Sequence, residues 1–85
     1  MGPRTITFED HQAIAARLVG SLDAAERQVL VCLVRGMSKK DTAALMRLRL
    51  EDVERCHISM MSKLNAGKSV DAVRIGLEAG LHLLS

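Results

Sequence analysis

The chain has no tryptophan and no tyrosine, and Phe8 is its single phenylalanine. Proteins that grip single-stranded nucleic acid usually stack bases on aromatic side chains, so this composition argues against that class. No apolar run approaches the roughly 20 residues that a membrane-spanning helix needs. The opening Met-Gly-Pro-Arg-Thr lacks the apolar core of a secretory signal. Gly2 is followed by Pro3, and position 6 is not Ser or Thr, so a myristoylation motif is not met. The two cysteines, Cys32 and Cys56, lack metal-ligand spacing and read as reduced core residues of a cytoplasmic protein. His11, His57 and His82 are too scattered for a metal site. Cys56 and His57 are neighbours, which on a helix sets their side chains about 100° apart. A zinc pair prefers a separation of three or four residues. No Ser-His-Asp or Cys-His grouping and no glycine-rich phosphate loop stands out. We therefore expect no enzyme, no metal, no cofactor, no small-molecule ligand and no membrane partner.

What remains is a chain of 85 residues rich in Leu, Ala, Val and Met, enough for one core. Its net charge of +2 permits a nucleic-acid partner without demanding one. The apolar periodicity predicts an all-α fold with five helical segments. The first follows Thr7 as N-cap with Asp10 in the box position, places Phe8, Ile14, Ala15 and Leu18 on one face, and stops at Gly20. The second starts at Asp23 with Glu26 completing a capping box, carries Val29, Leu30, Leu33 and Val34, and ends at Gly36. The third starts at Ser38, with Asp41 in the box position, and runs to about Met46; Ala43 and Ala44 allow a close helix approach. Arg47-Leu48-Arg49 forms a turn into the fourth, about Leu50 to Leu64, whose inner face takes Val53, Cys56, His57, Met60 and Leu64. The fifth begins after Ser69 and ends at Gly80, with Val70, Val73, Leu77 and Leu81 as its apolar side. The expected core is Leu22, Val29, Leu30, Leu33, Val53, Met60, Leu64, Val73 and Leu77.

Two short adjacent helices joined by a tight turn match the helix-turn-helix arrangement, whose second helix enters the major groove of DNA. The stretch from Leu22 to Leu81 resembles the LuxR/GerE-type DNA-binding domain. The resemblance is carried without a gap by Leu22, Glu26-Arg27, Val29-Leu30, Gly36-Met37-Ser38, Lys40-Asp41, Ala43, Val53, Lys63-Leu64, Ala72-Val73 and Gly80-Leu81. It implies a four-helix bundle over residues 21–85, behind an N-terminal extension of one helix over residues 1–20. It further implies a bacterial, cytoplasmic transcriptional regulator that binds double-stranded DNA as a homodimer. Most such domains follow a receiver or ligand-binding module, and here only residues 1–20 precede the domain.

The recognition helix departs from the family pattern. Arg49 stands where the family usually has a capping Ser, Asp52 where it has Thr, Glu54 where it has Lys, and Cys56 where it has His. Thr42 stands for the scaffold Ile. With Val53, Met60 and Leu64 inward, Glu51, Glu54, Arg55, Ile58 and Ser62 face outward. Residues 35–49 hold five basic groups and one acid, whereas residues 50–62 hold three acids and one Arg. The basic patch has shifted to the scaffold helix and turn.

The expected DNA contacts are Lys39, Lys40, Arg49, Glu54, Arg55, Ile58 and Lys63. Lys39, Lys40, Arg47 and Arg49 would grip phosphates, or else be solvated surface. Arg55 is the best base reader, set against an ordinary i,i+4 pair with Glu51. Ile58 would meet a thymine methyl or a protein. Glu54 would accept from cytosine, a rarer contact than Arg to guanine. Asp52 reads first as a helix-start acid compensating for the absent cap. Lys63 resembles the family's backbone-contacting Lys. On the final helix Val70, Val73, Arg74 and Leu77, with Glu78, would form the dimer contact, unless the apolar ones complete the core. The alternative to DNA binding is a protein-interaction module that docks on or antagonises another regulatory protein through its acidic helix.

Overall fold

The computed structural model describes residues 8–81, with side chains described from residue 10 onward. The expected Thr7 cap, Phe8 side chain and His82 lie outside those residues. Within them the chain is all-helical, with five helices and no strand: α1 Phe8–Gly20, α2 Ala24–Val34, α3 Lys39–Met46, α4 Leu50–Lys63 and α5 Ser69–Glu78. None of these helices is long and apolar enough to cross a membrane.

Local chemistry explains where the helices begin. Asp23 accepts a hydrogen bond from the Glu26 N–H at 2.8 Å, and the Glu26 carboxylate accepts from the Asp23 N–H at 2.9 Å. This reciprocal box satisfies two N–H groups that the first turn of α2 would otherwise leave unpaired. Ser38 caps α3 by accepting from the Asp41 N–H at 3.0 Å. The Lys68 N–H donates to the Asp71 carboxylate at 3.2 Å at the start of α5.

The helix ends share one device. Gly36, Arg47 and Asn65 adopt the left-handed conformation just after α2, α3 and α4. In each case that residue's own N–H and the next one turn back onto carbonyls of the preceding helix, as with Met37 N to Cys32 O at 3.0 Å and Ala66 N to Met61 O at 2.9 Å. Glycine and asparagine tolerate this backbone readily, whereas Arg47, at φ 56°, does not.

One buried core joins α1, α2, α4 and α5, and Met46 of α3 packs against it partly buried. Ala15 and Val19 of α1, Leu22 of the turn that follows it, Val29 and Leu30 of α2, Met60 and Leu64 at α4's end, Ala72 and Ile75 of α5, and Leu81 form a continuous buried cluster. α2 packs on both α4 and α5, α1 on α5, and α3 on α4. Gly76 lets α5 come close to α2: a Cβ there would lie 2.6 Å from Val34 Cγ2.

Three expectations about faces need correction. Ile14 is 49% exposed and Leu77 46% exposed, so neither is core. Leu33 and Val73 are only partly buried. α5 turns inward Ala72, Ile75 and Gly76 instead, because two small residues allow the close approach to α2 that Val70 and Leu77 would block. Cys32, buried beside Val29 and Leu30, carries part of the α2 face that the sequence assigned to Leu33 and Val34.

Candidate nucleic-acid interface

α3 and α4 are positioned by a turn whose bonds are all local. The Arg47 N–H reaches Ala44 O at 3.3 Å and the Leu48 N–H reaches Ala43 O at 3.0 Å, which closes α3. Thr42 donates its hydroxyl to Ser38 O at 2.8 Å, so this buried polar side chain is satisfied within its own helix. Thr42 and Ala43 present the inner side of α3, and Val53 of α4 is fully buried.

The outer face of α4 matches the helical projection. Glu51, Glu54, Arg55, Ile58 and Ser62 are all exposed, Ile58 at 69%. Lys39, Lys40, Arg47 and Arg49 are exposed as well. Lys39 lies near enough to His57 for its cation to assist burial in pushing the imidazole pKa down. Lys39, at the start of α3, therefore lies near the middle of α4, which sets a basic residue beside that helix.

The N-terminus of α4 is capped by Arg49, whose side chain makes no capping hydrogen bond. Asp52 does not supply one either. Its carboxylate takes the Arg55 guanidinium, three residues on, as an ion pair and hydrogen bond. Glu51, the partner that the sequence favoured, is not the one used. Both geometries fit a helix surface, and here the i,i+3 pair forms. Asp52 still lies in the first turn, where its charge complements the helix dipole. Arg55 remains 77% exposed while paired.

Lys63 has a partner that sequence reasoning missed. Its Nζ lies 2.6 Å from Oε1 of Glu26, which is 2% exposed, while Ser59 donates its hydroxyl to Oε2 of the same carboxylate. With the Asp23 N–H, three donors converge on one buried carboxylate. They hold the Glu26 pKa down to about 2, the Lys63 bond contributing most, then Ser59, then Asp23. The same bond raises the Lys63 pKa. The cluster ties the start of α2 to the end of α4, across 37 positions of sequence. The one sequence signal was Glu26's spacing to Asp23, which explains the cap but not the ion pair.

The final-helix candidates divide. Val70 is 68% and Leu77 46% exposed, Val73 is half-buried, and Arg74 donates to the Glu78 carboxylate at 3.2 Å. His11 Nδ1 of α1 lies 4.0 Å from the same Glu78 oxygen. Cys56 is half-buried and its thiol pKa is raised, first by burial and then by the charges of Asp23, Glu26 and Asp52. Among the described residues no three metal-ligating side chains converge.

The arrangement so far is a small all-helical protein whose exposed helix α4 is bordered by exposed cations. No protein-family model matches the chain. The chain is similar to the transcriptional regulatory protein FixJ of Azorhizobium caulinodans, with 33% identity over 73 residues. The alignment covers 86% of this chain but 35% of that protein, so the chain spans about a third of the length of this curated relative.

Proposed function

We propose that the protein is a transcriptional regulator that binds double-stranded DNA through a LuxR/GerE-type helix-turn-helix, with α3 as scaffold and α4 as recognition helix. The observation that carries this reading is the exposed outer face of α4 beside the exposed Lys39, Lys40 and Arg49. The similarity to a transcriptional regulatory protein agrees with it. The unit is residues 21–85, with four helices behind the N-terminal one, and its role is binding rather than catalysis in the cytoplasm. Lys39, Lys40 and Arg49 contact phosphates, and Arg55 and Ile58 meet base edges from the outer face of α4. Lys63 adds less to phosphate binding than its position suggests, since its charge is already matched by Glu26. Two copies pair through α5, where Val70 and Leu77 expose apolar surface and Val73 and Arg74 flank it. Pairing of this kind spaces two recognition helices about one DNA turn apart.

Binding of random duplex DNA titrated with salt tests the reading. Several phosphate contacts predict a steep loss of affinity as salt rises. Glu54→Lys removes a negative charge and adds a positive one on the same face. It should steepen the slope by about one to two units and raise low-salt affinity on the order of tenfold. Sedimentation of the same samples should give the mass of a dimer. No binding at low salt by either protein rejects DNA as the ligand.

One observation favours a second reading. Arg55 is committed to Asp52, which leaves Glu51 and Glu54 to dominate the exposed face around Ile58. An apolar residue with acids on its N-terminal side suits a basic protein surface, so the alternative is docking on another regulator through α4. A protein that fails to bind DNA but binds such a partner, and loses it on Ile58→Asp, establishes that alternative.

A further inference from the structure

The pair between Asp52 and Arg55 bears on how α4 discriminates among sequences. Helical side chains lean toward the N-terminus of their helix, so a contact from Arg55 back to Asp52 draws the guanidinium toward the start of α4. The first residues of a recognition helix are the ones that approach base edges. Arg55 engages Asp52 through Nη2. A guanidinium has five N–H donors in a fixed plane, so the remaining ones stay available for the paired acceptors of guanine. A free Arg must lose much rotamer freedom on binding, and a restrained one loses less.

Asp52 also carries a cost. Its negative charge lies at the edge of the outer face of α4, and on the DNA-binding reading this weakens attachment to any duplex whatever its sequence. The two effects act on different quantities. Orientation of Arg55 strengthens only sites with the matching base, whereas charge repulsion weakens all sites alike. An acid that does both raises the ratio of specific to nonspecific binding while lowering absolute affinity.

We propose that Asp52 is a positioning residue for sequence discrimination, acting through Arg55 to fix a guanine preference at one base position. The proposal rests on the DNA-binding reading above. It sets Asp52 apart from Glu51, an exposed first-turn acid that does not bond Arg55.

Selection of bound sequences from a random 20-base-pair duplex pool, followed by affinity measurement on selected and random duplexes, tests it. The unmodified protein, Asp52→Asn, Glu51→Gln and Arg55→Ala are compared, with helicity and melting temperature recorded for each. The expectation for Asp52→Asn is a several-fold gain in affinity for random duplex together with a loss of guanine preference at one position. Arg55→Ala abolishes the preference at that same position and leaves the others. Glu51→Gln gains affinity like Asp52→Asn but keeps the guanine preference, because only charge has been removed. If Asp52→Asn strengthens selected and random duplexes equally, with the preference intact, Asp52 is only a charge and the proposal is overturned. If the two variants lose preference at different positions, it is overturned as well. If the unmodified protein binds no duplex at low salt, the DNA-binding reading fails first and takes this inference with it.

Discussion

Helix α4 carries two acid–base pairs of similar chemistry in opposite surroundings. At its end Lys63 meets Glu26, a carboxylate that is 2% exposed and also bonded to Ser59 and to the Asp23 backbone. At its start Arg55 meets Asp52 in the open, with Arg55 77% exposed. The first pair joins two helices, and the second joins neighbours on one. A buried carboxylate with several donors is part of the fold, since removing one partner strands the rest. An exposed pair is screened by water and worth little to stability, so its side chains are free for recognition. Burial, more than charge, separates the structural end of α4 from the end that faces outward.

The comparison breaks most readily at Glu26. Glu26→Gln keeps the shape of the side chain but removes the charge that three donors share, and should cost about 1.5–3 kcal/mol in chemical denaturation. Acid should act on the unmodified protein in the same way. The folded pKa of about 2 lies below the ordinary value of 4.5, so the stabilisation is present above pH 4.5. It is lost as pH falls from about 4.5 toward 2. Glu26→Gln should flatten that part of the stability profile, and an unchanged profile in the variant would show that other carboxylates govern acid unfolding.

A smaller effect is expected on the flank of α4, where His57 lies between the two regimes. Burial first, and the Lys39 charge second, lower its folded pKa below the usual 6.5. The neutral imidazole is the form that fits, so stability should decline as pH falls below 6.5 and the unfolded chain takes up the proton more readily. His57→Gln should remove this decline while leaving the stability at pH 8 nearly unchanged. Thermal melts at pH 8, 7, 6 and 5 measure it.

The smallest stability effect belongs to the exposed pair. Arg55→Ala should change the folding free energy by no more than about 0.5 kcal/mol. A loss several times larger would mean that the two ends of α4 are not distinguished by burial as described.

Much of the inner structure was legible because it depends on local patterns. The Asp23–Glu26 box, the Ser38 cap, and the Val53, Met60 and Leu64 stripe of α4 follow from spacings of three and four residues. The outer face of α4 was legible for the same reason, as the complement of that stripe. Two things were not. The inward face of α5 is made by Ala72 and Gly76 as much as by Ile75, and small residues carry no hydrophobic signal of the size that Val70 or Leu77 display. The Lys63–Glu26 pair depends on how α2 and α4 cross, which no local periodicity encodes. The choice between Glu51 and Asp52 as the partner of Arg55 rests on one rotamer, and both spacings satisfy a helix. The roles given to the candidate contacts, from Lys39 to Leu77, follow from the family resemblance together with the helical projection.

The left-handed Arg47 has a consequence for motion. The Arg47 and Leu48 amides are both bonded to carbonyls of α3, so the first part of the turn that follows α3 is tied to that helix. Amide exchange at Arg47 and Leu48 should then follow the opening of α3 itself, with the protons of the turn released together with those of the helix. Any hinge between α3 and α4 is then confined to the step from Leu48 to Arg49, after the last amide that α3 holds.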